Sequence, residues 1–168
     1  MKTIKLFLAT LVLSMFTITS YSQSDTKVGG FLAYGTEIEN LGIGVNAEFP
    51  IMDKLTISPA FIYYFPKEES GFKMNWIEFN ANANYYFLEG DSVDVYGVAG
   101  LNYSSVKVEY DGDFGFGDYS ASDGRFGLNL GGGANFNIGS SIIPFAELKY
   151  VIIDEGQLVI AGGVKFNI

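Results

Sequence analysis

Neither cysteine nor histidine occurs anywhere in the 168 residues of the chain. Without Cys there are no disulfides, no thiolate metal sites and no lipid-modified Cys to anchor a bacterial lipoprotein. That absence alone says little about compartment. Without His, the commonest general base and the commonest transition-metal ligand are missing, which weighs against an enzyme. Charge is scarce too: 17% of residues are charged and the net charge is −9. A chain this acidic has no electrostatic footprint for a phosphate backbone, which excludes nucleic acid as a partner class. Beyond the first two dozen residues there is also no apolar run near the roughly 18 residues that a spanning helix requires.

What is present is apolar and aromatic material, 48% and 16% of the residues respectively. Disorder needs low hydrophobicity and high charge, so it is excluded. The length suits about one domain, and no internal shift in composition marks a second. High hydrophobicity without a long run means that the apolar residues are dispersed. Their pattern then decides the class.

Residues 1–22 read as a cleavable leader. Lys2 and Lys5 form a basic start, Leu6 to Phe16 an apolar core of about 11 residues, and Ser20 and Ser22 supply the small residues that a signal peptidase reads before Gln23. The plain alternative is a membrane anchor, for which the core is short. No acid lies in the leader, so the mature chain, 23–168, is more acidic still.

At period two the mature chain falls into eight segments, near 27–35, 41–50, 55–65, 74–87, 93–110, 125–138, 142–153 and 158–168. In the sixth, Phe126, Leu128, Leu130, Gly132, Ala134, Phe136 and Ile138 share one face, and Arg125, Gly127, Asn129, Gly131, Gly133, Asn135 and Asn137 the other. The second, fourth and eighth alternate similarly. In the last, Leu158, Ile160, Gly162, Val164, Phe166 and Ile168 oppose Val159, Ala161, Gly163, Lys165 and Asn167. The first segment is ambiguous, with Val28, Leu32 and Tyr34 on one face and Phe31 and Ala33 on the other. Pro59 and Pro144 each remove a ladder donor, which predicts a bulge or strand end nearby, although both read as strand residues.

The links between segments alternate in length. Those on the side of the N-terminus, near 51–54, 88–92 and 139–141, are short. Those on the far side, near 36–40, 66–73, 111–124 and 154–157, are mostly acidic or polar, and two are longer. Short periplasmic turns with longer outer loops are the habit of a transmembrane barrel.

One apolar face at period two suits either a soluble barrel, apolar inside, or a membrane barrel, apolar outside. The polar face separates them. It is mostly Gly and Asn rather than the Lys, Glu, Arg and Thr of water-facing strands, which suits a narrow, hydrogen-bonded interior. Phe49, Phe65, Tyr85, Phe87, Phe136, Phe145, Tyr150 and Phe166 lie toward segment ends, where aromatic girdles sit. The chain also ends inside a strand.

On these features, including the final strand Ala161-Gly162-Gly163-Val164-Lys165-Phe166-Asn167-Ile168, the mature region resembles the small OmpA/OmpX-type outer-membrane barrels. That family usually ends in an aromatic residue. This chain ends in Ile168, with Phe166 two positions earlier on the same face. The resemblance implies an all-β fold, an eight-stranded antiparallel up-and-down transmembrane β-barrel. It also implies passage through the barrel-assembly machinery to the outer membrane of a Gram-negative bacterium. The expected partners are outer-membrane lipid around a monomer and an unidentified partner for the outer loops. Leu128, Leu130, Phe136, Ile160, Val164 and Phe166 are expected to face lipid.

Glu48, Glu78, Asp94, Arg125, Glu147, Lys149 and Lys165 fall on the polar faces. Eight strands leave an interior just wide enough for side chains, so enclosed charges must be paired. Two readings follow, an interior salt-bridge network that holds the barrel's shape or a gated ion path. Glu78 and Arg125 are expected near the outer rim and the others deeper. Asp111, Asp113 and Asp118, spaced by glycines in the longest loop and followed by Asp123-Gly124, form a weak calcium candidate. The run lacks the ligand pattern of an EF-hand, so a solvated acidic loop is the plain reading. Gly131-Gly132-Gly133 sits inside an alternating segment with no helix after it, unlike a phosphate loop. No cofactor is implied.

Four functions fit to different degrees. The first is a non-enzymatic envelope barrel acting through its outer loops, and the second a small pore. The third is a lipid-modifying or proteolytic barrel, a kind whose known members rely on His. The fourth is a soluble secreted or periplasmic barrel holding an apolar ligand.

Overall fold

In the computed structural model the described residues are 26–69, 72–110, 119–154 and 156–168. They form eight strands: β1 (Lys27–Gly35), β2 (Asn40–Met52), β3 (Leu55–Glu69), β4 (Phe72–Glu89), β5 (Val93–Tyr110), β6 (Tyr119–Phe136), β7 (Ile142–Ile152) and β8 (Gln157–Asn167). Each strand pairs antiparallel with its neighbour in sequence, and β1 pairs with β8, from Lys27 opposite Asn167 to Gly35 opposite Val159. Closure leaves no edge, so every strand finds ladder partners on both sides.

Alternation along the strands sorts the side chains into two surfaces. Ile43, Val45, Leu101, Leu128, Leu130, Leu148, Ile160 and Phe166 are exposed on the outside, and Val164 is half-buried on the same face. Glu48, Glu78, Asn80, Asn82, Asn102, Asn129, Lys149 and Lys165 are buried inside. The ambiguous first strand places Phe31 and Ala33 inside and Leu32 and Tyr34 outside.

Three expectations need correction. Residues 66–69, 72–73 and 119–124 are not loops but strand. Glu68 pairs with Lys73 across β3–β4, and Val106 with Asp123 across β5–β6. Outside a half-buried layer there is no reason to alternate, so period two fades although the ladder continues. Pro59 produces neither a bulge nor a strand end. The β3–β4 ladder runs through it, opposite Ala81, and only the β2–β3 ladder passes over Ser58 and Pro59. Register shifts occur instead between Pro50 and Met52, Tyr64 and Lys67, and Tyr86 and Leu88. Phe145 is not a girdle residue. It points inward and meets Phe31 edge-to-face, centroids 5.9 Å apart.

The turns on the N-terminal side are tight. Lys54 (φ 61°) closes β2–β3 and Gly139 (φ 72°) follows β6, both left-handed. On the other side β4, β5 and β6 each run 18 residues. At about 3.3 Å per residue and a tilt near 40°, such strands rise roughly 45 Å, against a hydrocarbon layer of roughly 30 Å. The β3–β4 and β5–β6 hairpins therefore stand well clear of the apolar band.

Candidate functional site

The interior is filled by two polar clusters and an apolar one. Each follows from which inward positions carry which residue type.

Nearer the far end, β4 contributes Glu78, Asn80 and Asn82 at alternate positions, β5 Asn102 and Ser104, β6 Asn129, β7 Lys149 and β8 Gln157. Gln157 Nε2 donates to Glu78 Oε1 at 2.6 Å, and Asn102 Nδ2 to Glu78 Oε2 at 3.3 Å. Asn80 Oδ1 collects donors from Asn102 (2.9 Å), Asn129 (2.8 Å) and Lys149 (3.0 Å). Lys149 Nζ stands 4.0 Å from Glu78 Oε2, and its hydrogen bond goes to Asn80. Short side chains from four strands converge here because carboxamides combine donors and an acceptor with modest bulk.

Nearer the N-terminal end, Glu48 is the hub. Lys165 Nζ lies 2.9 Å from its Oε2, Thr56 Oγ1 donates to its Oε1 at 2.8 Å, and the Tyr86 hydroxyl donates to the same oxygen. Lys165 also donates to Asn135 Oδ1 at 3.0 Å and stands 4.9 Å and 4.7 Å from the ring centroids of Tyr96 and Phe145. Both ends of this ion pair are 1% exposed. A buried pair with this many supporting donors satisfies the requirement that enclosed charge be compensated.

Against one wall, Phe31, Ala33, Ile62, Tyr64, Phe145, Val151, Val159 and Ala161 form a continuous apolar cluster from β1, β3, β7 and β8. Between it and the polar groups, beside Asn46, Ser58, Asn82 and Lys149, remains a void of about 10 Å³. That is roughly the space of one water-sized probe.

The seven charges singled out on the polar faces thus separate. Glu78 and Lys149 belong to the far cluster, Glu48 and Lys165 to the near one. Glu147 is half-buried and accepts a hydrogen bond from the Tyr96 hydroxyl at 3.2 Å. Asp94 stands in the β4–β5 turn region, accepting from Gly90 N (3.2 Å) and Asn137 Nδ2 (3.1 Å). Arg125 is exposed at the far mouth, 3.0 Å from Asp123. Glu78 is not at the rim as expected but fully buried, because the β3–β4 hairpin extends the wall well past it. Asp111, Asp113 and Asp118 lie outside the described residues. Among the described residues no three acids gather as a metal site would require. Tyr64, Tyr96 and Gln157 carried no signal in the sequence, whereas Tyr86 already stood on the polar face of its segment.

Above the far cluster the lumen opens into a mouth cavity of about 240 Å³, bounded by Trp76, Val106, Arg125, Val151, Ile153 and Gln157 among others.

An apolar band facing outward around an enclosed polar and apolar filling defines a transmembrane β-barrel. The model of the Outer membrane protein beta-barrel domain family matches residues 8–168, and the chain belongs to that family. The N-terminal β-barrel domain of OprF from Pseudomonas aeruginosa superposes with a TM-score of 0.68 at 16% identity, covering 87% of this chain and 98% of that one. Neisserial surface protein A (NspA) gives 0.67 at 16%, covering 86% and 98%. Ail, the attachment invasion locus protein of Yersinia pestis, gives 0.57 at 18%, covering 84% and 97%. At these identities the likeness is one of fold. No curated protein sequence matches. The outward apolar row accordingly meets outer-membrane lipid.

Proposed function

We propose that this is a non-enzymatic barrel with a closed lumen, contributing to envelope integrity or surface interaction through its projecting outer hairpins. The observation that carries the reading is the filled interior. Two hydrogen-bonded clusters and an apolar wall leave a mid-lumen void of about 10 Å³, too small for a chain of waters. The fold is shared with the outer membrane enzyme PagL at a TM-score of 0.50 and 15% identity, so fold alone does not decide activity. The non-enzymatic reading is supported by a chain without His or Cys, the usual bases and nucleophiles.

In this reading residues 1–22 direct export and are removed, leaving 23–168 to pass through the barrel-assembly machinery. The tight turns then face the periplasm of a Gram-negative cell, the long hairpins face outside, and the barrel works as a monomer. The buried charges hold the barrel's shape rather than passing ions. Planar-bilayer recording tests the closed lumen. No stable unitary steps are expected at moderate voltage, and reproducible single-channel steps from pure protein would overturn it.

A further inference from the structure

Neither the family nor the closed-lumen reading assigns anything to the mouth cavity, whose wall is largely apolar and whose charged border is mostly acidic. The wall is apolar and aromatic, with the Trp76 indole, Val106, Val151 and Ile153 lining it. Four charged side chains border it, Glu37, Asp123, Asp154 and Arg125. Arg125 is engaged with Asp123 at 3.0 Å, while among the described residues neither Glu37 nor Asp154 has a basic group within ion-pair distance. The surplus is therefore two carboxylates. They do not converge with a third acid as an ion cage would, since no three acids among the described residues group that way. This argues against a bare divalent cation.

Gln157, in the same lining, adds a neutral acceptor. Its Nε2 is committed to Glu78 at 2.6 Å, which fixes the amide orientation because the oxygen would be repelled by the carboxylate. Its Oε1 is left buried without a partner. An unsatisfied buried acceptor costs free energy that a donor arriving in the cavity would recover.

From this set of groups we infer that the mouth cavity binds a small soluble organic cation, an ammonium group carried on a short apolar chain. The chain packs on Val106, Val151 and Ile153. The ammonium takes the field of Glu37 and Asp154, beside the Trp76 indole and the Gln157 acceptor. At about 240 Å³ the cavity holds roughly eight waters' worth of volume, which sets the size class. The inference does not depend on whether the lumen conducts, because the site lies outside the filled section.

The experiment uses the chain's own reporter. Trp76 is the single tryptophan in the sequence, so intrinsic tryptophan emission comes from a residue of this lining. Protein extracted from outer membranes into detergent is titrated with n-butylammonium, and in parallel with butyrate and 1-butanol. The expected result is a saturable change in emission with n-butylammonium, absent with the other two. Glu37→Gln/Asp154→Asn, at two exposed positions, should weaken it about fivefold or more and remove most of its salt dependence. Gln157→Leu should weaken it without altering the salt dependence. Should Gln157→Leu fail to fold, the double variant still decides. Three outcomes would overturn the inference: no saturable response to n-butylammonium, an equal response to 1-butanol or butyrate, or affinity unchanged in the double variant.

Discussion

Replacing Lys165 by Met tests whether the near-end ion pair is a structural keystone. Its ammonium lies 2.9 Å from Glu48 Oε2, donates to Asn135, and shares 1% exposure with its partner. Met fills a similar volume but supplies no charge. Glu48 then keeps donors only from Thr56 and Tyr86 on its other oxygen. Breaking one side of a buried pair costs about 3–5 kcal/mol, and the two surviving donors place this case near 3. At an m-value of roughly 2 kcal/mol/M the urea midpoint should fall by about 1.5 M. Adding Glu48→Gln removes the stranded charge while keeping an acceptor for Thr56 and Tyr86. The double variant should therefore recover to within about 1.5 kcal/mol of the parent. The assay is reversible urea unfolding of the barrel in lipid vesicles, followed by Trp76 emission and gel mobility. A loss below about 1 kcal/mol for Lys165→Met, or strict additivity of the two changes, would refute the reasoning.

Other outcomes follow from the same geometry. Leu130→Arg, outward and opposite Ala99 and Tyr150 in mid-strand, should destabilise by about 2–4 kcal/mol in bilayers. Asn129→Arg, facing inward, should cost less unless it overpacks, and the reverse order in lipid-vesicle unfolding would mean that the faces are swapped. A methyl group on Gly163 would meet the Gly30 carbonyl oxygen and come within 2.6 Å of Phe31 Cα, whereas one on Gly97 meets nothing within 4 Å. Gly163→Ala should therefore lose about 1–3 kcal/mol, and Gly97→Ala stay within about 0.5, in paired urea titrations. On gels the unboiled protein should migrate apart from the boiled one. Identical mobility, in protein shown by circular dichroism to be folded, would count against a closed barrel.

The parts of the fold legible in the sequence are those where one face meets apolar and the other polar surroundings. β2, β4, β6 and β8 declared themselves because Leu, Ile and Phe alternate with Gly and Asn. β1 was obscure because Phe31 and Ala33 face an apolar interior wall, so both faces carry apolar residues. Phe145 and Val151 of β7 were hidden by the same wall. Strand lengths beyond the lipid were illegible because solvent meets both faces there and no alternation is demanded. Within the interior, the polar face was readable but the pairing was not. Which carboxylate meets which ammonium depends on the stagger of strands far apart in sequence, as Glu48 and Lys165 illustrate with a separation of 117 residues. The acceptor at Gln157 and the cavity around Trp76 emerge only once the long hairpins are built above them.

The most direct test of the account uses the absence of Cys, which makes any introduced thiol unique. Nitroxide labels on Ile43→Cys, Leu101→Cys, Leu130→Cys and Ile160→Cys, in bilayers, are compared for collision with oxygen and with a water-soluble nickel chelate. Oxygen, which concentrates in hydrocarbon, should dominate at all four positions. Dominance of the nickel chelate at these sites would mean that the apolar row does not look onto lipid, and would contradict the account.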